Sequence, residues 1–167
     1  VNMASGGGGV TYATGAADYA EWMMITSAST DGDIISSTGG TNQLATTGES
    51  LVGAVSPSPG FLGNSGIEGT ANAAIVGMSG IVNVKVNDSN GPIAPGDTIT
   101  ASSTPGVGMK QTNAGYSLGI AQAGWAGPGQ STISVFVDPD YTDIAALSEA
   151  GTSGFWTRTV STLTTAN

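Results

Sequence analysis

Turn-forming residues interrupt this sequence at short, regular intervals, and their spacing constrains the fold more than any other feature. From Gly32 onward, breaks containing Gly, Pro, Asn or Asp recur about every 8–12 residues, as in all-β sandwiches and barrels. Gly39-Gly40 is typical of a hairpin break, and Asp31-Gly32-Asp33 is typical of a tight turn. We therefore predict an all-β domain, a small barrel or sandwich of short strands, oligomeric and with one short helix near the C-terminus.

The apolar runs between these turns predict the strands themselves. Residues 16–26 (AADYAEWMMIT) and 51–55 (LVGAV) are dense apolar segments, and prolines end the second. Residues 81–86 (IVNVKV) alternate between apolar and polar, which favours a strand with one buried face. Further strands are predicted at residues 74–76, 98–101, 117–123 and 132–137.

The two ends depart from this pattern and divide the chain into three parts. Residues 1–14 include four consecutive glycines, which indicate a flexible lead or a backbone packed against a symmetry axis. Residues 15–140 form the predicted β domain. Residues 141–167 are predicted to be a tail, with a short helix over 143–150 and a Thr-rich strand after it. We expect this tail to pack on the domain or on a neighbouring subunit.

Composition excludes several classes of function. The chain has no Cys and no His, so it has no disulfides, no Cys–His metal site and no His-based catalytic triad. Its 3 Lys and Arg residues against 12 Asp and Glu residues would repel the phosphates of a nucleic acid. No apolar run approaches the roughly 20 residues of a membrane-spanning helix. We predict no nucleic-acid partner, no membrane insertion and no cofactor.

The same composition indicates where the protein works. Only 9% of the residues are charged, and Gly, Ser and Thr are abundant, as in extracellular and virion-surface β proteins. The sequence opens on Val1 rather than Met, from which we expect a processed product or an excised fragment. The predicted location is extracellular or on a virion surface.

Two acidic residues are the candidates for catalysis. Asp18 and Glu21 are three residues apart, so a helix would place them on one face and a strand would place them on opposite faces. Two neighbouring carboxylates can share a proton and act as acid and base. The alternative is a pair of ordinary surface acids.

Trp125 is the candidate for ligand binding, because it lies in a loop rich in Gly and Pro. An exposed ring there would suit stacking on a sugar or contact with another subunit, whereas the alternative is a ring folded back onto its own core. Acidic turns such as Asp31-Gly32-Asp33 offer oxygen ligands, but none has the spacing of an EF-hand loop, so no metal site is predicted.

Several segments, in order, resemble one family. This family is the autoproteolytic intramolecular-chaperone domain at the C-terminus of phage appendage and tail-fibre proteins, with relatives in bacterial surface proteins. The resemblance covers residues 15–138 and rests on residues 15–22 (GAADYAEW), 32–35 (GDII), 51–64 (LVGAVSPSPGFLGN), 80–86 (GIVNVKV), 91–97 (GPIAPGD), 102–110 (SSTPGVGMK), 118–121 (LGIA) and 133–137 (ISVFV).

This resemblance implies a β-rich, usually homotrimeric domain that ends a fibre and nucleates its assembly. Some members then cleave themselves, and acidic residues near the first of these motifs are implicated, which Asp18 and Glu21 match here. The sequence departs from the cleaving members at Met23-Met24, where a further acid is usual, and in a shorter loop after Asn64.

From these observations we predict a structural protein, a fibre-terminal or fibre-forming domain that drives assembly of a homo-oligomer, expected to be a trimer. Its predicted partner is itself, with a host-surface glycan or receptor as a further partner. Three alternatives remain at this point: a self-cleaving chaperone that uses Asp18 and Glu21, a receptor- or glycan-binding tip that uses Trp125, and a subunit of an extracellular filament.

Overall fold

The computed structural model describes residues 11–12 and 17–143. The predicted helix over 143–150, most of the predicted tail and most of the Gly-rich lead therefore lie outside the described residues. Eleven strands form in the described part of the chain: β1 (Thr11–Tyr12), β2 (Asp18–Met24), β3 (Ile34–Thr38), β4 (Thr41–Leu44), β5 (Leu51–Val55), β6 (Phe61–Gly63), β7 (Ala73–Asn87), β8 (Thr98–Ala101), β9 (Gly108–Lys110), β10 (Gly115–Ala121) and β11 (Gln130–Thr142).

These strands belong to one sheet that partly closes on itself. The main order is β1-β6-β2-β7-β11-β10-β8-β9. β9 also pairs in parallel with β7, at Gly108 and Val86, so five strands form a ring. β5 pairs with β7 as well, and the β3–β4 hairpin extends from β5. The predicted all-β class is confirmed, and the described residues contain no helix that could span a membrane.

β7 is the central strand, and it contains two segments, 74–76 and 81–86, that the sequence predicts as separate strands. Its first half pairs with β2 and its second half with β11. The junction lies at Gly80, which has a φ of +108°, close to a register shift opposite Tyr19 and Ala20. Glycine adopts this backbone conformation without a steric penalty, so the strand continues through it.

β11 also runs further than its apolar core predicts, through Pro139 to Thr142. Its pairing with β7 ends at Val137, and beyond that point β11 pairs with β10 alone. Proline lacks a backbone N–H and is tolerated in a strand where one edge is unpaired. The boundary predicted between residues 140 and 141 therefore lies within β11.

Alternating side chains of these strands form two apolar clusters. The larger lies inside the ring and includes Ile34, Val84, Ile99, Leu118 and Val135, all fully buried. The smaller cluster is composed of Ile25, Ile35, Val55, Ala74 and Val76, under the β3–β5 extension. Both clusters include side chains of β7, so this strand is packed along both of its halves.

A carboxylate ties the turn between β4 and β5 to the hairpin. Glu49 accepts hydrogen bonds from the Ser36 hydroxyl (2.7 Å), the Gln43 amide (2.6 Å) and the Thr46 N–H (2.8 Å). Desolvation favours the neutral acid, but these donors outweigh it and hold the pKa of Glu49 below its usual value.

This network predicts acid-sensitive stability. Glu49→Gln should lower the free energy of unfolding by about 0.5–1 kcal/mol at pH 7, because the charge and one of the two accepting oxygens are lost at a site that solvent partly screens. The pKa of Glu49 is lower in the folded state than in the unfolded state, so the unfolded chain binds more protons in the acid range. This stabilisation is therefore lost as the pH falls below 4.5 and through the folded-state pKa of Glu49.

Urea unfolding at pH 7 and at pH 3 measures this effect. The difference between the unmodified chain and Glu49→Gln should shrink at pH 3. Glu68→Gln is the control, since Glu68 is an exposed loop residue that accepts a local bond from the Gly66 N–H. A Glu49→Gln deficit of equal size at both pH values would contradict the assignment.

Candidate functional site

A cleft of about 510 Å³ lies beside the start of β2, between the outer face of β7 and the turn after β5. Its apolar walls include Pro57 and Ile81. Its polar lining residues come from five separate segments of the chain and are Asp18, Asp31, Ser56, Ser58, Asn83 and Thr132. Their convergence depends on the register of β2 and β11 against β7, which brings Asp18 opposite Gly80 and Thr132 opposite Lys85.

Asp18 is the buried acid of this cleft, with 5% of its surface exposed. Its Oδ1 accepts the Gly60 N–H at 3.2 Å, whereas its Oδ2 is buried and has no partner among the described residues. Glycine makes room for this carboxylate, because a Cβ on Gly77 would lie 3.0 Å from Oδ2. A buried carboxylate oxygen without a donor costs on the order of 1–3 kcal/mol, so it points to an unassigned partner.

Glu21 lies on the opposite face of β2 from Asp18, because the segment is a strand and not a helix. The Glu21 carboxylate accepts the Tyr19 hydroxyl at 2.6 Å, and the Tyr19 ring stacks on Phe61 with ring centroids 5.6 Å apart. The hydrogen bond to Glu21, desolvation and the negative charge together raise the pKa of Tyr19. The structure thus does not bring the two candidate acids together as a proton-sharing pair, and their catalytic role stays a prediction.

Trp125, the candidate for ligand stacking, is half-buried and packs against the larger apolar cluster. Its backbone exchanges two hydrogen bonds with Ile93, at 2.7 and 2.8 Å. Its indole Nε1 is buried without a partner among the described residues. This geometry is the folded-back alternative, in which the ring fills the end of its own core, and binding of a sugar by Trp125 stays a prediction.

The two lysines of the described chain are already paired. Lys85 donates to Asp33 at 2.7 Å and also contacts the Thr30 hydroxyl. Lys110 pairs with Asp97 at 2.9 Å. Desolvation favours the neutral Asp97, but the Ala94 N–H and Lys110 outweigh it and lower the pKa of this carboxyl group. Among residues 17–143, no group of three or more acidic side chains is placed to hold a metal ion.

A row of exposed apolar side chains lies on the outer face of the sheet, and it could not be predicted from the sequence. Ile81 of β7 lies opposite Phe136 of β11, and Phe136 lies opposite Ile120 of β10. These three side chains, which we call the apolar row, are 40%, 42% and 39% exposed. The sequence signal is the position of Phe136 between two buried valines, but the row itself emerges only from the strand register.

Comparisons with known proteins identify one fold neighbour. No family model matches the sequence, and no curated protein matches it. The crystal structure of the pre-mature bacteriophage phi29 gene product 12 superposes with a TM-score of 0.52 at 14% sequence identity. The superposition covers 81% of this chain and 23% of the phage protein, so the chain spans about a quarter of the length of that neighbour. At this identity the likeness concerns the fold.

Proposed function

We propose that this chain is a structural domain of a phage appendage or extracellular fibre, and that it assembles with copies of itself through the apolar row, as a trimer. The observation that carries the proposal is the continuity of the row across β7, β11 and β10. Single exposed apolar residues are common on protein surfaces, but a contiguous set on a rigid sheet is typical of an interaction site.

The surroundings of the row suit burial against another subunit. On one side of the row the next positions on the same face are Asn83 of β7 and Ser134 of β11, which are polar but uncharged, and on the other side the exposed Asp138 lies two residues beyond Phe136 on β11. Covering Asn83 and Ser134 removes no charge from water, so the desolvation cost on that side of the row is small. Interfaces commonly have an apolar centre depleted of charge and a polar rim, and Phe is enriched at such centres.

The fold likeness to a bacteriophage protein supports the virion context of this proposal, and the low charge density of the chain is consistent with it. The trimer is the state expected from the resemblance of residues 15–138 to fibre-terminal chaperone domains.

Phe136→Ser is the test of this proposal. The substitution removes the central member of the row while leaving the buried valines on either side of it in place. We expect the subunit dissociation constant to rise about 30-fold or more, since a central aromatic residue of an interface contributes on the order of 2 kcal/mol or more.

Native mass spectrometry over a concentration series gives this constant directly. Met24→Ser is the matched control, because Met24 is 45% exposed but lies at the end of β2, away from the row. If Phe136→Ser and Met24→Ser keep the same oligomer mass at all concentrations, the row is not the contact.

A further inference from the structure

A second, smaller hollow adjoins the cleft and lengthens it. This hollow, of about 220 Å³, is lined by Asp31, Ser56 and Pro57, which also line the cleft of about 510 Å³. The shared residues come from the loop between β2 and β3 and from the turn after β5. We call the two hollows together the groove. The cleft alone has the size of a small-molecule site, and its extension favours a longer, chain-like ligand.

Exposed polar side chains supply the hydrogen-bonding groups of the groove. Those that are accessible from solvent are Asp31, Ser58, Asn83 and Thr132. They offer a carboxylate, two hydroxyl groups and an amide, so the groove can both donate and accept hydrogen bonds. This mixture suits a ligand that carries many hydroxyl groups.

Apolar surface lies between these polar groups. Pro57 and Ile81 are exposed in the cleft, and the half-buried Trp22 lines the smaller hollow. The indole Nε1 of Trp22 is buried, so this residue offers ring surface to the hollow and not a hydrogen bond. Saccharide rings have apolar C–H faces that pack on aromatic and aliphatic surfaces, while their hydroxyl groups point outward from the ring edge.

The charges of the groove favour an uncharged ligand over an anionic one. Among the described lining residues the charged groups are the carboxylates of Asp18 and Asp31. The whole chain has a formal net charge of −9 at pH 7. This field repels phosphate, sulfate and carboxylate groups, whereas the exposed Asp31 carboxylate is a strong acceptor for neutral hydroxyl groups.

We propose that the groove binds an uncharged oligosaccharide. Asp31 and Asn83 bond to its hydroxyl groups, and Trp22 and Ile81 pack on the faces of its rings. This site is separate from Trp125, which lies in the loop between β10 and β11 and lines neither hollow. The lining residues all belong to one chain, so the proposal does not rest on the subunit number.

NMR titration of the full chain with defined oligosaccharides tests the proposal. The probes are the uncharged hexasaccharides maltohexaose, cellohexaose and N-acetylchitohexaose, each with its disaccharide. The ligand controls are hexagalacturonate, which is anionic, and a peptide of alternating Gly and Ser. We expect at least one uncharged hexasaccharide to bind with a Kd below about 1 mM. It should bind at least about tenfold more tightly than its disaccharide, which spans only part of the groove.

Asp31→Ala is the variant that tests the site, because Asp31 is exposed and belongs to both hollows. It should weaken binding of the hexasaccharide about tenfold, the effect of losing a hydrogen bond to a charged group. Glu68→Ala is the matched control, because Glu68 is an exposed loop carboxylate that lines neither hollow. Phe136→Ser is titrated as well, because it leaves the lining residues in place and separates ligand binding from assembly.

Each outcome decides the proposal. Binding of an uncharged hexasaccharide that Asp31→Ala weakens and Glu68→Ala leaves unchanged supports it, whether the unmodified chain or only Phe136→Ser shows the binding. If neither chain binds any of the three uncharged hexasaccharides, the proposal is overturned. Equal affinity for hexagalacturonate, for the Gly-Ser peptide or for the disaccharide also overturns it, and so does an equal loss of affinity in Asp31→Ala and Glu68→Ala.

Discussion

Gly80→Ala is expected to destabilise the folded domain strongly. A Cβ at this position would lie 2.3 Å from the Ala17 carbonyl oxygen and 2.8 Å from the Asp18 Cα. Both neighbours are backbone atoms of the segment that leads into β2, so neither can move aside as the end of a side chain can. The φ of +108° adds conformational strain for any residue with a Cβ.

We expect the Gly80→Ala substitution to cost at least about 3 kcal/mol, a large share of the roughly 5–15 kcal/mol that stabilises a typical domain. Urea unfolding followed by circular dichroism measures the cost. Gly91→Ala is the matched control, since Gly91 also has a positive φ, +88°, but a Cβ on it would meet no atom within 4 Å. The control isolates backbone strain at about 1 kcal/mol. Equal losses in the two variants would show that the close approach at Gly80 is not a constraint.

Leu118→Ala is expected to have an effect of similar size. Leu118 is fully buried in the larger apolar cluster, on the strand that pairs with both β11 and β8. Truncation removes buried methyl groups and leaves a cavity, because strands on both sides of β10 prevent the site from collapsing. A loss of about 3–5 kcal/mol follows.

The same unfolding experiment measures the loss, with Leu62→Ala as the control. Leu62 is a half-buried leucine of the short strand β6, so its truncation should cost less than half as much. A Leu118→Ala loss as small as that of Leu62→Ala would contradict the position of Leu118 at the centre of the core.

The strands with strong apolar alternation could be predicted from sequence, and the weaker ones could not. Residues 98–101 match β8, and 132–137 lie within β11, because alternating Val, Ile and Thr favour a pleated, half-buried surface. β4 (Thr41–Leu44), β6 and β9 are short, and their polar or glycine residues resemble loops. They form strands because the longer strands beside them have backbone N–H and C=O groups that still need hydrogen-bond partners.

The cleft and the apolar row could not be predicted, since both depend on register. Asp18 and Asn83 line the same cleft only because β2 pairs with β7 in the register that places Asp18 opposite Gly80. The sequence leaves open whether Asp18 and Glu21 share a face, and the strand geometry settles it. The orientation of the Trp125 ring could not be predicted either, because the sequence around a loop tryptophan is the same whether the ring faces solvent or packs on its own core.

The mass of the native particle tests the central claim, assembly through the apolar row, most directly. Native mass spectrometry of the unmodified chain reads the subunit mass and the particle mass from one sample. We expect a particle of three subunits that dissociates when Phe136 is replaced by serine. An unmodified chain that remains a single subunit of 16.3 kDa at every concentration would contradict it.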